Sequence, residues 1–234
     1  MYKKYFKRIL DFCIACVGLI VLSPVFLILT IAGAIAMKGN PFFVQNRPGK
    51  IDIKTGQERI FPLIKFRTMS NEKDKTGKLL SDSERLNSYG RALRASSLDE
   101  LPELVNILLG HLSCVGPRPL ACQYLPYFND VERQRHTVRP GLTGLAQING
   151  RNSINWPERF AYDVEYVHNI SFKNDLDICI KTIFKVLKRE KVAIRGTTNI
   201  MDFDKFRKME IEEQQENGEK PYDRVESPSS RNIT

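Results

Sequence analysis

The sequence contains few residues of the kinds that build disulfide frameworks or metal sites. Its 234 residues include five cysteines and three histidines. An odd number of cysteines, without the spacing of a disulfide framework, argues against a disulfide-stabilised fold and indicates a reducing compartment. The histidines, at positions 111, 136 and 168, lack the spacing of zinc ligands. The sequence therefore predicts neither a disulfide scaffold nor a zinc site.

Sequence motifs for binding nucleotides and nucleic acids are also missing. Glycines 141, 144 and 150 are spaced for a looped backbone, but they match neither a Walker A nor a dinucleotide fingerprint. The net charge is +9, yet no helix-turn-helix, zinc-finger or RNP pattern accompanies it. Such a protein most simply faces anionic lipid headgroups or an anionic substrate, and nucleic acid is not an expected partner.

One long uncharged run lies near the N-terminus. The 26 residues from Phe12 to Met37 carry no charge, whereas a membrane-spanning helix needs roughly 20 apolar residues. Ser23 and Pro24 interrupt the run, and the Ser23 hydroxyl is a candidate partner for the carbonyl that the proline leaves unbonded. Both flanks are cationic, so charge gives no direction for a crossing. A re-entrant helix that bends at Ser23-Pro24 and a single crossing, straight or kinked, both remain open.

A predicted strand over residues 60–69 carries two neighbouring cations. Lys65 and Arg67 are two residues apart and share one face of the strand, with Ile64 and Phe66 on the other. Two cations side by side on a rigid strand suit a phosphate. A solvated strand face is the alternative.

An acidic pair, Asp99 and Glu100, begins the next predicted helix, which ends at Gly110. Ser97 with Glu100 fits a capping box, and Asp99 is the alternative cap. A helix N-terminus favours anions, so it would help to keep Asp99 ionised, as a carboxylate nucleophile requires. Arg94 approaches from the preceding segment. On the residues alone, both a chemical role and simple helix capping are possible for this pair.

Two further arginines are candidate phosphate ligands. The segment Gly116-Pro117-Arg118-Pro119 fixes the backbone on both sides of Arg118 and leaves this side chain little freedom, which suits bidentate phosphate binding. A solvated arginine in a rigid turn is the alternative. Arg139 adds a cation at the start of the glycine-containing segment.

The C-terminal third is predicted to hold two amphipathic helices and a tail. The helices cover residues 157–169 and 175–190, and the second is basic. This second helix suits either the membrane surface or packing against the domain. From Asp204 onward the chain is mostly charged and polar, which predicts disorder.

Several of these stretches together resemble one family, the small monotopic phosphoglycosyl transferases of the PglC type, which are bacterial sugar transferases. The resemblance runs in family order from Tyr2 to about Gly196 and rests on KRILDF, the Ser23-Pro24 break, QNRPG, KFRTM, SSLDELPELVN, VGPRPL and RPGLTGLAQINGRN. It implies a membrane-associated monotopic α/β fold, with a re-entrant membrane helix (1–37), a compact, helix-rich catalytic domain with a small sheet (38–203) and a charged tail (204–234).

The resemblance also implies a reaction and a location. Members of this family transfer a sugar-1-phosphate from a nucleotide sugar to a polyprenol phosphate, using Mg²⁺ and a covalent phosphosugar-enzyme intermediate, and release a nucleoside monophosphate. The expected donor is a UDP-sugar, with N-acetylated amino sugars first, and the acceptor is undecaprenyl phosphate. The expected place is the inner membrane of a bacterium, with the catalytic domain on the cytoplasmic face.

Site residues follow from the same resemblance. Asp99 is the expected nucleophile and Mg²⁺ ligand, and Glu100 is expected to assist proton handling or orientation. The expected phosphate-binding residues are Arg94, Arg118, Lys65, Arg67 and Arg139.

Two other classes of protein fit part of the pattern. A basic, membrane-anchored interaction module without catalysis needs the cations but not Asp99. A glycosyltransferase tethered by one crossing would carry a Rossmann-like nucleotide fingerprint, which the sequence lacks. Release of UMP rather than UDP from a sugar nucleotide separates these alternatives.

Overall fold

The computed structural model describes residues 1–150, 154–188 and 201–217. Helices predominate, and the strands form two small two-stranded sheets, so the predicted helix-rich fold with little sheet is confirmed. In the described part of the chain the α-helices are α1 Lys7–Val21, α2 Ser23–Ala36, α3 Asp82–Arg85, α4 Ser88–Ser96, α5 Glu103–Leu108, α6 Asp130–Arg133, α7 Leu145–Asn149, α8 Trp156–His168, α9 Phe172–Leu187 and α10 Phe203–Glu216. The strands are β1 Phe42–Ile51, β2 Glu58–Phe66, β3 Ser113–Val115 and β4 Gly141–Thr143. Shorter turns of 3₁₀-helix cover Leu98–Glu100, Cys122–Tyr127 and Gln134–Thr137, and a π-helical turn, Tyr2–Phe6, leads into α1.

The N-terminal apolar run forms two helices with a sharp bend between them. The axes of Tyr2–Val21 and Ser23–Ala36 differ by 66°. Pro24 lacks the N–H that would bond the Ile20 carbonyl, and the Ser23 hydroxyl donates to that carbonyl instead, at 2.7 Å. Both the break and the polar partner predicted for it are confirmed. Within the described ranges no unbroken helix has the length and hydropathy to cross a bilayer, whereas the bent pair taken together does.

Asp11 fastens α1 to the rest of the protein. Helical spacing would allow Asp11 to pair with Lys7 or Arg8, but its hydrogen-bond partners lie on β3 instead. Asp11 is 4% exposed and accepts hydrogen bonds from the Ser113 hydroxyl at 2.7 Å and from the Cys114 N–H at 3.0 Å. A buried carboxylate binds the donors that packing supplies, and here β3 supplies them.

The main core lies between the β1–β2 hairpin, α1 and α5. β1 and β2 pair antiparallel from Phe42 opposite Phe66 to Ile51 opposite Glu58, and β3 pairs with β4 in parallel. The β2 strand confirms residues 60–66 of the strand predicted for 60–69, but residues 67–69 lie beyond its end, so Arg67 does not share a strand face with Lys65. The face of β2 that carries Lys65 is also the face of Phe61 and Leu63, which are 4% and 3% exposed. Lys65 therefore points towards the core side of the hairpin rather than along a solvated face.

A second core cluster is aromatic and includes the C-terminal helix. It contains Tyr124, Phe128, Trp156, Phe160 and Phe203. Phe203 is fully buried at the start of α10, and Arg207, one helical turn later, pairs with the buried Glu132. The predicted disorder from Asp204 is therefore wrong for α10, because one aromatic residue and one ion pair dock a mostly polar helix. Residues 218–234 of the predicted tail lie outside the described residues.

The two predicted amphipathic helices are confirmed as α8 and α9, although residues 189–190 of the second prediction lie outside the described residues. The inner side of α9 is buried at Asp175 and Ile178. Its other side exposes a row of apolar side chains between 44% and 59%: Phe172, Leu176, Ile180, Ile183 and Phe184. One side of the helix thus packs on the domain while the other remains open to the surroundings.

Candidate active site

The acidic pair lies in a turn between two helices rather than at the start of one long helix. α4 ends at Ser96, Ser97 has a positive φ of 57°, and a single 3₁₀ turn carries Asp99 and Glu100 before α5 begins at Glu103. The Ser97 side chain makes no capping hydrogen bond, so the predicted capping box is wrong. The Glu100 side chain is held by cations from two other segments, and that tertiary contact replaces the local cap.

The carboxylate of Glu100 pairs with two cationic side chains. Lys65 Nζ lies 2.9 Å from Glu100 Oε1, and the Arg118 guanidinium pairs with the same oxygen. Burial alone would raise the pKa of Glu100, but Arg118 and Lys65 hold that pKa well below its ordinary value. Glu100 is therefore a fixed carboxylate whose role is electrostatic and positional.

Lys65 also contacts a third acid that the sequence reading did not single out. Its Nζ lies 2.8 Å from Glu103 Oε1, and Glu103 is only 2% exposed. Burial raises the pKa of Glu103 to about 7, although the Lys65 charge acts in the opposite direction. The one available signal was that Glu103 follows Glu100 by three residues and so shares its side of a helical turn.

Asp99 differs from Glu100 in having no partner of its own. Among the described residues, no hydrogen bond or ion pair reaches its half-buried carboxylate. Burial and the neighbouring Glu100 raise the pKa of Asp99 to about 6, while Lys65, Arg118 and Arg94 act to lower it. The helix N-terminus that was expected to help ionise Asp99 is not present there, because Asp99 lies in the 3₁₀ turn before α5. Even so, most Asp99 carboxyls are ionised at neutral pH, and their oxygens are available to a substrate.

Arg94 and Arg118 are held beside the acids by backbone and side-chain contacts. Arg94 donates through Nε to the Thr68 hydroxyl at 3.0 Å, which fixes it against the end of the KFRTM segment. The carbonyl of Arg118 accepts a hydrogen bond from Arg135 Nη2 at 2.6 Å. Arg135 is 1% exposed and pairs with Asp163, 2% exposed, at 2.8 Å. Neither Arg135 nor Asp163 belongs to a motif, so no sequence pattern pointed to this pair.

The other two predicted phosphate-binding cations, Arg67 and Arg139, make no described ion pair with the three acids. The Arg67 N–H bonds the Pro41 carbonyl at 2.7 Å, and the part of the chain that the structure describes offers its guanidinium no hydrogen bond. Arg139 donates through Nε to the Gly110 carbonyl at 3.0 Å, beyond the C-terminal end of α5. Gly110 has a φ of 82°, which confirms it as the predicted helix terminator. Arg139 thus lies at the far end of α5 from Asp99.

The acids fit a magnesium ion only if the substrate contributes ligands. No group of three or more His, Cys, Asp or Glu side chains within the described ranges could hold a metal. Mg²⁺ is commonly held by one or two carboxylates together with substrate phosphates. The unpartnered carboxylate of Asp99 suits that arrangement, whereas the bound carboxylate of Glu100 does not.

Comparisons with known proteins identify the family. The sequence pattern of the bacterial sugar transferase family matches residues 2–189. The chain is 46% identical over 201 residues to the uncharacterized sugar transferase EpsL of Bacillus subtilis, covering 86% of this chain and 95% of EpsL. It is 37% identical over 190 residues to the UDP-glucose:undecaprenyl-phosphate glucose-1-phosphate transferase of Klebsiella pneumoniae, covering 77% of this chain and 40% of that protein.

A further relative is the undecaprenyl-phosphate galactose phosphotransferase of Salmonella typhimurium, 32% identical over 206 residues, which cover 80% of this chain and 41% of that protein. The two longer relatives therefore match this chain over less than half of their own lengths, whereas EpsL matches almost end to end. With the family pattern covering most of the sequence and relatives of this similarity, the chain belongs to the bacterial sugar transferase family.

Proposed function

We propose that this protein transfers a sugar-1-phosphate from a UDP-sugar to undecaprenyl phosphate, releasing UMP, as the first membrane step of polysaccharide assembly. The observation that carries the proposal is the contrast between the two neighbouring acids. Glu100 is bound by Lys65 and Arg118, while Asp99 lies among the same positive charges and pairs with none of the described side chains. The names of the Klebsiella and Salmonella relatives support the same lipid acceptor.

In the first step, an Asp99 oxygen attacks the phosphorus that carries the sugar. The bond from that phosphorus to the bridging oxygen breaks, UMP leaves with that oxygen, and the sugar phosphate is bonded to Asp99. Arg94 and Arg118 stabilise the negative charge of the phosphoryl group in this step. Bound Mg²⁺ supplies further charge neutralisation on the diphosphate.

In the second step, a phosphate oxygen of the lipid attacks the same phosphorus. The bond to Asp99 breaks, the carboxylate is restored, and the product is a lipid diphosphate sugar. Neither step consumes or releases a proton when the attacking oxygens are ionised. Glu100 and Lys65 therefore serve to position charge around the reacting phosphorus, and Glu100 needs no proton to do so.

The membrane arrangement that we propose is a re-entrant helix pair, with both ends on the cytoplasmic face of the bacterial inner membrane. At the start of the pair, the Tyr2 hydroxyl donates to Asp175 at 2.6 Å. At its end, the Asn87 side chain donates to the Ala36 carbonyl at 3.2 Å. Since Asp175 and Asn87 both belong to the folded part beyond the pair, its two ends lie against the same body. A lipid substrate gives the protein a reason to be at the membrane.

The test is intact-mass analysis of the full-length protein with Mg²⁺ and a panel of sugar nucleotides, without lipid. UDP-glucose, UDP-galactose and UDP-N-acetylglucosamine are the first donors. One donor is expected to add a sugar phosphate to the parent protein and to release UMP. The Asp99→Asn variant should show no adduct and lose at least roughly 10³-fold in rate, about 4 kcal/mol of barrier.

The matched control is Asp177→Asn, an isosteric change at an exposed acid that pairs with Lys181 on its own helix. It should load like the parent. Turnover without an adduct would contradict the covalent intermediate, and release of UDP would indicate a glycosyltransferase instead. Absence of turnover with every donor, in the presence of undecaprenyl phosphate, would favour an interaction module instead.

A further inference from the structure

The second limb of the apolar pair, α2, packs against the folded domain through the Phe26 ring, which lies 5.1 Å from the Phe66 ring, and through a close approach at one small residue. Within α2, all of which the structure describes, Gly33 is the one buried residue. A Cβ atom at this position would lie 2.7 Å from the Tyr89 hydroxyl oxygen and 3.0 Å from Pro41 Cβ. Glycine is therefore required at position 33 for α4 to approach α2 this closely.

Two side chains at the start of α4 hold it to α2. The Tyr89 hydroxyl donates to the Leu29 carbonyl at 2.8 Å. Asn87 donates to the Ala36 carbonyl, and its side-chain oxygen also accepts from the Gly90 N–H at 2.9 Å, which caps α4. The residue that starts α4 thus also binds the end of α2.

The opposite side of α4 is fixed to the site. A Cβ on Gly90 would lie 1.9 Å from the Thr68 carbonyl oxygen, so the helix backbone touches the segment that follows β2. Thr68 also accepts the hydrogen bond from Arg94 near the end of α4. Asp99 follows three residues after that helix ends at Ser96. α4 is therefore a short rigid link between the apolar pair and the acidic turn.

We propose that Tyr89, packed against Gly33, is a positioning residue for the second half of the reaction. This inference rests on the proposed function. The nucleotide sugar arrives from solution and meets Asp99 through groups of the domain alone. The lipid acceptor is confined to the membrane that α2 enters, so its phosphate reaches the phosphosugar on Asp99 only if the distance from α2 to Asp99 is held. Phe26 packs α2 on the β1–β2 hairpin, whereas the Tyr89–Leu29 bond ties α2 to α4, the helix that leads to Asp99, and so fixes that distance.

The experiment separates the two half-reactions in the full-length protein. The protein is loaded with the UDP-sugar and Mg²⁺, and the adduct on Asp99 is measured by intact mass. Undecaprenyl phosphate in phospholipid vesicles is then added, and loss of the adduct is followed with time. Tyr89→Phe keeps the ring and removes the hydroxyl, and it should load at the parent rate but discharge about tenfold more slowly, the loss of one hydrogen bond.

Two further measurements keep the result specific. In Gly33→Ala the added methyl group displaces the Tyr89 hydroxyl from the α2 side. This variant should show the same slow discharge with normal loading. A short-chain isoprenyl phosphate that stays in solution should discharge the parent and Tyr89→Phe at equal rates, because this acceptor is not confined with α2.

Tyr124→Phe is the matched control, since it removes another tyrosine hydroxyl, bonded to Asp202 at 3.1 Å in the aromatic cluster. It should change neither half-reaction. Equal slowing of loading and discharge in Tyr89→Phe, or parent-like discharge in both Tyr89→Phe and Gly33→Ala, would overturn the positioning role. Failure of the parent itself to load would count against the proposed function.

Discussion

Lys65 Nζ lies between two carboxylates, 2.9 Å from Glu100 and 2.8 Å from Glu103, and thereby joins strand β2 to the acidic turn. The Lys65 and Glu100 side chains are each 19% exposed, so water screens their interaction only in part. With Arg118 on the same Glu100 oxygen, the charge of Glu100 is already neutralised. An incoming phosphate therefore meets net positive charge beside an unpartnered Asp99.

The planar guanidinium of Arg118 predicts that a positive charge alone at this position does not support normal turnover. Arg118→Lys keeps the positive charge but loses the planar fork that pairs with a carboxylate and a phosphate. We expect turnover to fall by roughly tenfold or more with unchanged membrane association, measured as UMP release and by flotation with vesicles. Arg59→Lys, an exposed arginine paired with Asp52, should behave like the parent. Near-normal turnover of Arg118→Lys would show that Arg118 has only a structural role.

The buried pair behind Arg118 predicts a stability effect together with an activity effect. Asp163→Asn leaves the Arg135 charge buried without its partner, which typically costs about 3–5 kcal/mol of unfolding free energy. Because Arg135 also bonds the Arg118 carbonyl, the variant should lose turnover at temperatures where it is still folded. Chemical denaturation together with a turnover assay checks both effects. Parent-like activity in the folded variant would separate Arg135 from the site.

Stability should fall on acidification because of His136 and Glu58. Burial lowers the pKa of His136 from 6.5 to about 4. Burial alone would raise the pKa of Glu58, but His136 and Arg133 lower it from 4.5 to about 2. In both cases the unfolded chain binds protons at a higher pH than the folded protein does. The contribution of these two groups to the free energy of unfolding is therefore fully present above pH 6.5. The part due to His136 is lost towards pH 4, and the part due to Glu58 is lost further, towards pH 2.

Denaturant midpoints measured at pH 7, 5 and 4 check this prediction. His136→Gln removes the first titration and should flatten the curve between pH 7 and 5 relative to its own value at pH 7. His168→Gln, at an exposed histidine, should leave the slope of the parent unchanged. A parent protein whose midpoint is constant from pH 7 to pH 4 would contradict the assignment.

The proposed re-entrant pair predicts that both of its ends face the cytoplasm. Lys3→Cys and Asn40→Cys, each in a background without the five native cysteines, should be protected from a membrane-impermeant thiol reagent until the cells are opened. Labelling of position 3 but not position 40 from outside would mean a single crossing. Changing Ser23 and Pro24 together to alanine should favour crossing, since a straight 26-residue helix is about 39 Å long.

Local features were predictable from the sequence, and contacts between distant segments were not. A proline in the middle of a long apolar run interrupts the helix before it, and a glycine often ends one, so Pro24 and Gly110 were both predictable. The contacts of Glu100 come from Lys65 and Arg118, 35 and 18 residues away, and they displaced the cap that Ser97 suggested. The family resemblance grouped Arg139 with the phosphate-binding residues, yet Arg139 lies beyond the other end of α5.

The C-terminal helix, α10, was likewise not predictable from the sequence. Composition describes α10 as polar and charged, which indicates disorder. Its docking depends on Phe203 entering an aromatic cluster and on Arg207 reaching Glu132, 75 residues earlier in the chain. One aromatic residue and one long-range ion pair are too few to alter a compositional pattern, although they are enough to place a helix.

The side-chain contacts that hold the first helix, α1, also constrain the order in which the protein folds during translation. Asp11 depends on Ser113, 102 residues later, and Lys7 depends on Asp175, 168 residues later. The apolar pair therefore leaves the ribosome long before the groups that bind its first turns exist. In the proposed re-entrant arrangement, Asp11 would stay with water or lipid headgroups until β3 has been synthesised, and the rest of the domain would fold onto helices that had already entered the bilayer.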